Sequence, residues 1–98
     1  MVTYVLSAKP REGKDAEAVA WAKEEAKRMQ KIDPAPITVL RRRFSDDHRI
    51  YWIINFETLA DLEAWEKKID ANKRHNESVK AALLEILEDG AGALYQEI

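Results

Sequence analysis

The chain has 98 residues, of which 46% are hydrophobic and 35% charged, a composition typical of a soluble globular domain. Its formal net charge of −2 lacks the basic excess of a nucleic-acid binder. No apolar run approaches the roughly 20 residues that span a bilayer, and the start of the chain lacks the pattern of a signal peptide. We therefore expect a cytoplasmic protein with no nucleic-acid or membrane partner. The absence of cysteine excludes disulfide and thiolate chemistry.

The first part of the chain predicts a strand followed by a helix. Residues 2–7 alternate with the period of two that a strand requires, and residues 15–31 place apolar side chains at helical spacing. Asp15 suits the N-cap of this helix. Its expected core stripe consists of Ala16, Val19, Ala22, Ala26 and Met29. Trp21 lies outside that stripe, so it is either half-exposed over neighbouring alkyl chains or covered by a partner.

The middle of the chain predicts a hairpin. Residues 37–44 and 50–56 are rich in β-branched and aromatic residues, and the polar segment 45–49 between them is typical of a turn. The second strand has two largely apolar faces: Tyr51, Ile53 and Asn55 on one, and Ile50, Trp52, Ile54 and Phe56 on the other. A strand of this kind is covered on both sides. In so short a chain, we expect a second copy of the chain to provide one cover.

A helix is expected after the hairpin. Thr58 and Asp61 are spaced as in a capping box. The apolar stripe of this helix is Leu62, Trp65 and Ile69. Residues 70–72 break it, and a second helical segment covers residues 73–88. The stripe of the second segment consists of His75, Val79, Ala82, Leu83 and Ile86.

The end of the chain completes the predicted order of elements. Gly90 and Gly92 are expected to stop the last helix, and residues 93–98 to form a final strand. The order β-α-β-β-α-β predicts an α+β, ferredoxin-like fold, with a four-stranded antiparallel sheet and helices on one face. We expect residues 1–98 to form a single domain that makes a homodimer through the open sheet face.

A resemblance to a known family rests on residues 53–65, a strand ending in an aromatic residue, a short loop and a helix carrying Trp65. This stretch resembles the antibiotic-biosynthesis monooxygenases and their haem-degrading relatives. The resemblance extends over nearly the whole chain and implies a dimeric α+β barrel. It also implies a small homodimeric monooxygenase-like enzyme that needs no metal or flavin and acts on a flat aromatic or polyketide-like molecule.

The resemblance further implies a cleft between sheet and helices. Its catalytic residues would be His75, Asp61 and Trp65, and its ligand-binding residues Tyr51, Trp52, Asn55 and Phe56. Asp61 departs from the quinone-forming members, which carry an Asn one helical turn before the Trp. An ionised carboxylate only accepts hydrogen bonds, whereas an amide also donates.

Two further functions remain open from the sequence. His75 follows Trp65 at a spacing similar to that of the haem-degrading members, whose His binds haem iron, although residues 2–7 lack the first-strand Asn of those proteins. The protein is thus alternatively a haem-binding or haem-degrading protein. It is alternatively a non-catalytic dimeric module for ligand binding or assembly, with His75 and Trp65 as ordinary core residues. A lone His without cysteine does not predict a zinc site.

Overall fold

A computed structural model describes residues 1–44 and 46–98. Its elements in chain order are β1 (Val2–Pro10), α1 (Asp15–Ile32), β2 (Ile37–Arg41), β3 (Ile50–Phe56), α2 (Leu59–Asp70), α3 (Lys73–Glu85) and β4 (Leu87–Gln96). The strands form one antiparallel sheet in the order β2-β3-β1-β4. This topology confirms the expected α+β, ferredoxin-like fold. No helix in the described part of the chain is both long and apolar enough to cross a membrane.

The central strands fix which side chains share a face of the sheet. Tyr4 on β1 lies opposite Ile54 on β3 and Leu94 on β4, whereas Val5 lies opposite Ile53 and Ala93. Directly opposed residues of antiparallel strands point to the same side. The helices pack against the Tyr4 side, where the buried sheet residues are Val2, Ala8, Ile50, Trp52, Ile54, Phe56 and Leu87.

The other face of the sheet carries mostly apolar and small polar side chains. They are Thr3, Val5, Ser7, Thr38, Leu40, Tyr51, Ile53, Asn55, Ala91, Ala93 and Tyr95. All of them are exposed or half-buried in the single chain, and Tyr95 and Leu40 have 60% and 49% of their surface exposed. Among the described residues, this face therefore has the exposed apolar composition that is typical of an interaction surface.

The first helix differs from its predicted form at its start and on its buried face. Lys14 precedes it as the N-cap and makes no side-chain capping bond, so Asp15 is its first helical residue. Ala16 is exposed and Val19 half-buried, so the predicted stripe was wrong at its N-terminal end. The buried residues are Ala18, Ala22, Glu25, Ala26 and Met29. Ala22, Ala26 and Met29 were predicted correctly. The charged Glu25, which was not part of the predicted stripe, is buried beside them.

The last helix and strand also differ from the prediction. α3 ends at Glu85, and β4 begins at Leu87, six residues before the predicted start at residue 93. Gly90 and Gly92 lie within β4 instead of stopping the helix. The left-handed backbone at this junction belongs to Asp89, whose φ is 52°. The longer strand follows from the pairing of Leu87 with Pro10, at the end of a first strand that also exceeds its predicted length.

The hairpin and the second helix start as expected. β2 ends at Arg41, three residues before the predicted bound, and β3 covers the predicted residues. Of the predicted turn at 45–49, Ser45 lies outside the described residues. The Thr58 hydroxyl caps α2 by accepting a hydrogen bond from the Asp61 N–H at 3.2 Å. This bond is the Thr58 half of the predicted capping box.

Candidate functional site

A cavity of about 720 Å³ lies between the sheet and the three helices. Its wall is mostly aromatic and aliphatic, and includes Tyr4 and Leu6 from β1 and Leu83 from α3. All three tryptophans of the chain line it: Trp21 from α1, Trp52 from β3 and Trp65 from α2. The volume lies within the range typical of small-molecule sites. We name this space the main cavity.

Aromatic contacts hold the wall of the main cavity in place. Trp21 packs edge-on against Trp52, with 6.0 Å between ring centroids, and Tyr4 packs edge-on against Trp65 at the same distance. The Trp52 indole donates a hydrogen bond to the Ala22 carbonyl at 3.2 Å. Edge-to-face pairs at this separation are favourable. The two pairs therefore hold four aromatic side chains of the cavity wall in position.

The polar centre of the site is a contact between Glu25 on α1 and His75 on α3. Glu25 is 1% exposed, and its Oε1 contacts Nδ1 of His75, which is itself buried. Asn72 caps α3 by accepting a hydrogen bond from the His75 N–H at 2.8 Å, which fixes the start of the helix and the position of His75. A carboxylate on one nitrogen of an imidazole sets its tautomer and leaves the other nitrogen to act on a ligand.

The second carboxylate oxygen of Glu25 is also held. It accepts a hydrogen bond from Nε of Arg28 at 2.9 Å and one from the Ser78 hydroxyl at 3.3 Å. Trp21 donates its indole N–H to the same hydroxyl at 3.3 Å. Burial alone would raise the pKa of Glu25, but hydrogen bonds from His75 and Arg28, together with their charge, keep that pKa below its ordinary value. Glu25 is therefore a carboxylate at neutral pH.

The main cavity also has charged side chains in its lining. Glu66 and Asp70 on α2 line it, and so does Lys80 on α3. The pKa of Tyr4 is raised by burial and by the negative charges of Glu66 and Asp70. Tyr4 is therefore a neutral phenol at neutral pH. With the carboxylate of Glu25 in the same wall, this lining suits a neutral ligand better than an anionic one.

The same lining does not suit haem, which the sequence resemblance gave as an alternative ligand. His75 is an imidazole of the type that binds haem iron, and Glu25 would orient it. The two propionates of haem are anionic, however, and Glu66 and Asp70 would repel them. In the described part of the chain, no three His, Asp or Glu side chains are grouped so that they could hold a metal ion.

Four of the predicted site residues lie on the helix side of the sheet. Trp52, Trp65 and His75 line the main cavity. Phe56 is buried behind them, with its ring centroid 5.7 Å from that of Trp65. The fold thus brings the two tryptophans and the histidine to one space, with Phe56 supporting Trp65 from outside that space.

Three predicted residues lie elsewhere. Tyr51 and Asn55 are on the opposite face of the sheet, where Tyr51 contacts Arg42 and Asn55 accepts a hydrogen bond from Thr3 at 2.7 Å. Asp61 is exposed in the first turn of α2. None of the three lines the main cavity of the single chain.

Sequence reasoning missed Glu25 and Ser78 as parts of the site. Glu25 follows Lys23 and Glu24, so it resembles one of several solvated charges on a helix. A signal was nevertheless present. Glu25 is three residues after Ala22 and four before Met29, and both of these were expected in the core. A carboxylate at such a position needs a buried partner, and His75 was the histidine already placed on a core stripe.

Comparisons with solved structures agree with this architecture. An uncharacterised NIPSNAP domain protein from Burkholderia xenovorans superimposes with a TM-score of 0.78 at 11% identity, covering 100% of this chain and 95% of that one. A candidate antibiotic biosynthesis monooxygenase from Nitrosomonas europaea gives 0.70 at 14% identity, with 100% and 99% covered. One from Deinococcus radiodurans gives 0.73 at 13%, with 99% and 92% covered.

These likenesses identify the fold. The chain shares its fold with these antibiotic biosynthesis monooxygenase and NIPSNAP proteins. This confirms, for the fold, the resemblance stated from residues 53–65. No family model and no curated protein sequence matches the chain.

Proposed function

We propose that the protein is a small homodimeric monooxygenase-like enzyme that binds a neutral, flat aromatic molecule in the main cavity. The observation that carries this proposal is the Glu25–His75 pair in the wall of a space lined by three tryptophans. Aromatic walls bind a flat ring system by stacking and edge contacts. Glu25 orients His75, so that the histidine can act as a base in this wall.

In the proposed reaction, the side chains of the protein transfer protons, and the substrate provides the electrons that reduce dioxygen. Nε2 of His75 removes a proton from an activated C–H or phenolic O–H of the substrate, and Glu25 stabilises the imidazolium that forms. The substrate anion then reduces dioxygen. For a methylene group the balance is CH₂ + O₂ → C=O + H₂O, in which one oxygen atom enters the product and the other leaves as water. Tyr4 is a neutral phenol placed to donate a hydrogen bond to an oxygen of the ligand.

Homodimer formation through the open sheet face is part of the proposal. The face is mostly apolar, with Leu40, Ile53 and Tyr95 among its larger side chains. Burying such a surface against a second copy would remove it from water and would add to the small core of a chain this size. Tyr51 and Asn55 would then lie between the sheets, as interface residues or as the wall of a second space.

The test is turnover of a hydroxylated anthrone in the presence of oxygen, and the rate is measured as oxygen uptake. We expect His75→Gln to lower kcat by about a hundredfold or more, the usual contribution of a general base, with KM little changed. The matched control is His48→Gln, since His48 is the other histidine of the chain and is exposed in the hairpin loop. Equal activity of His75→Gln and the wild type would overturn the assignment of the base.

Asp61 remains a predicted catalytic residue, and the same assay examines it. Asp61→Ala retains the Thr58 cap, because that hydroxyl accepts from the Asp61 backbone N–H. A loss of turnover without a loss of stability would support a catalytic role for Asp61. Full activity would restrict the machinery to the main cavity. Binding of the anthrone without any oxygen uptake would favour the alternative function, a non-catalytic ligand-binding module.

A further inference from the structure

A second space shares His75 with the main cavity. It measures about 520 Å³ and is lined by residues of α1 and of the start of α3. Its polar lining consists of Arg28, Lys31, Asn72, Arg74, His75 and Ser78. None of the described residues that line it is acidic, in contrast to the main cavity. We name this space the basic cleft.

The charges in the basic cleft are only partly balanced. Arg28 is paired with Glu25, which lies behind it. Lys31 and Arg74 are both exposed, and neither forms an ion pair with any residue in the described ranges 1–44 and 46–98. Two cations facing one cleft repel each other unless an anion lies between them. The unbalanced charge of +2 matches one phosphate group in its doubly ionised form.

The backbone at this point adds to the positive potential. The cleft contains the N-terminus of α3, a helix of 13 residues with no acidic side chain in its first turn. Asn72 satisfies the N–H of His75, and the preceding N–H groups of the first turn have no partner within the helix. Free N–H groups and the helix dipole both favour an anion here. The guanidinium groups of Arg28 and Arg74 supply donors in the fork arrangement that suits phosphate oxygens.

We propose that the basic cleft binds the phosphate group of a small molecule, held by Lys31, Arg74 and Arg28 at the N-terminus of α3. Arg28 contacts both Glu25 and Ser78, so it already has the fixed position that a binding residue needs. The proposal does not rest on turnover in the main cavity, although His75 lines both spaces. A failure of the anthrone reaction would leave it unaffected.

The experiment is a titration with inorganic phosphate at neutral pH and constant ionic strength, followed by NMR. We expect saturable shifts of the His75 ring signals and of the Arg74 amide, with the His48 ring signals as internal reference. Lys31→Gln and Arg74→Gln should each weaken phosphate binding roughly tenfold, the usual effect of losing one charge-assisted hydrogen bond. Both side chains are exposed, so the variants should fold like the wild type.

The matched control is Lys73→Gln. Lys73 is the first residue of α3, is exposed and does not line the cleft. Its substitution by Gln therefore removes the same charge from a position outside the cleft. We expect it to change phosphate affinity less than twofold, a range that general charge effects produce at moderate salt. An effect as large as that of Arg74→Gln would overturn the proposal, as would shifts that do not saturate. Acetate should bind more weakly than phosphate, and equal affinities would overturn the match to a double charge.

Discussion

His75 on α3 contacts Glu25 on α1 through Nδ1, and both side chains of this pair are buried. The contact connects the two spaces of the molecule, because His75 lines both the main cavity and the basic cleft. Glu25 in turn holds Arg28 at the edge of the cleft. A single buried carboxylate therefore positions the proposed base on one side and a proposed phosphate-binding residue on the other.

Removing the histidine should destabilise the protein strongly. In His75→Leu the buried Glu25 carboxylate keeps its hydrogen bonds from Arg28 and Ser78 but loses the contact with His75, which should cost about 2 kcal/mol, as for a hydrogen bond to a charged group. Urea unfolding measures the free energy of unfolding. The double variant Glu25→Leu/His75→Leu should lose less than the sum of the single variants, since it leaves no buried charge unpaired. If the loss of unfolding free energy in the double variant equals the sum of the two single losses, Glu25 and His75 are not energetically coupled.

The stability of the protein should fall in acid through Glu25. Because the folded-state pKa lies below the ordinary value of 4.5, the unfolded chain binds the proton more tightly. The contribution of Glu25 is therefore complete above that ordinary value and is lost as the pH falls through the folded pKa. Urea unfolding at a series of pH values should show a shallower acid loss for Glu25→Gln. If the free energy of unfolding falls equally with pH in the variant and the wild type, the acid loss does not come from Glu25.

Two tryptophans should respond differently to the same substitution. The Nε1 of Trp65 is buried without a hydrogen-bond partner among the described residues, whereas that of Trp52 donates to the Ala22 carbonyl. Trp65→Phe removes an unsatisfied donor, so it should cost less in unfolding free energy than Trp52→Phe, by about 1 kcal/mol. Both changes leave a void of similar size. Equal losses in urea unfolding would mean that the Trp52 bond contributes nothing.

The sequence predicted those parts of the fold in which a local pattern and the tertiary structure agree. The hairpin strand 50–56, the Thr58 cap and the Leu62, Trp65 and Ile69 stripe are all set by spacing within a few residues. Gly92 shows where such reasoning failed. A Cβ at this position would lie 3.0 Å from the Tyr4 hydroxyl, so the glycine accommodates a side chain of another strand and ends no helix.

The candidate site was predictable only in part for the same reason. His75 and Trp65 lie on helical stripes that can be read directly, and both line the main cavity. The role of Glu25 could not be predicted in this way, because its carboxylate is held by His75 and Ser78, which are far away in sequence. The prediction also combined Tyr51 and Asn55 with Trp52, although successive residues of a strand point to opposite faces and Trp52 therefore lies on the other face from these two. Which face of β3 lines the cavity depends on where the helices pack.

The open sheet face should control dimer formation. Ile53→Asp places a charge in the middle of this face, where the opposite residue on β1 is Val5 and that on β2 is Thr38. We expect a dimeric wild type and a largely monomeric variant in native mass spectrometry, because a charge buried at such an interface is costly. The control is Leu59→Asp, an equally drastic change at an exposed residue of α2. A monomeric wild type would contradict the proposed assembly.

The most direct test of the proposed function locates the ligand by NMR. A hydroxylated anthrone is titrated into the protein, and the three indole N–H signals, the His75 ring and the backbone amides of β3 are followed. We expect saturable shifts of the His75 ring and of the indole signals of Trp21, Trp52 and Trp65, since all four residues line the main cavity. The absence of these shifts, or shifts confined to Tyr51 and Asn55 on the opposite face of the sheet, would contradict ligand binding in the main cavity.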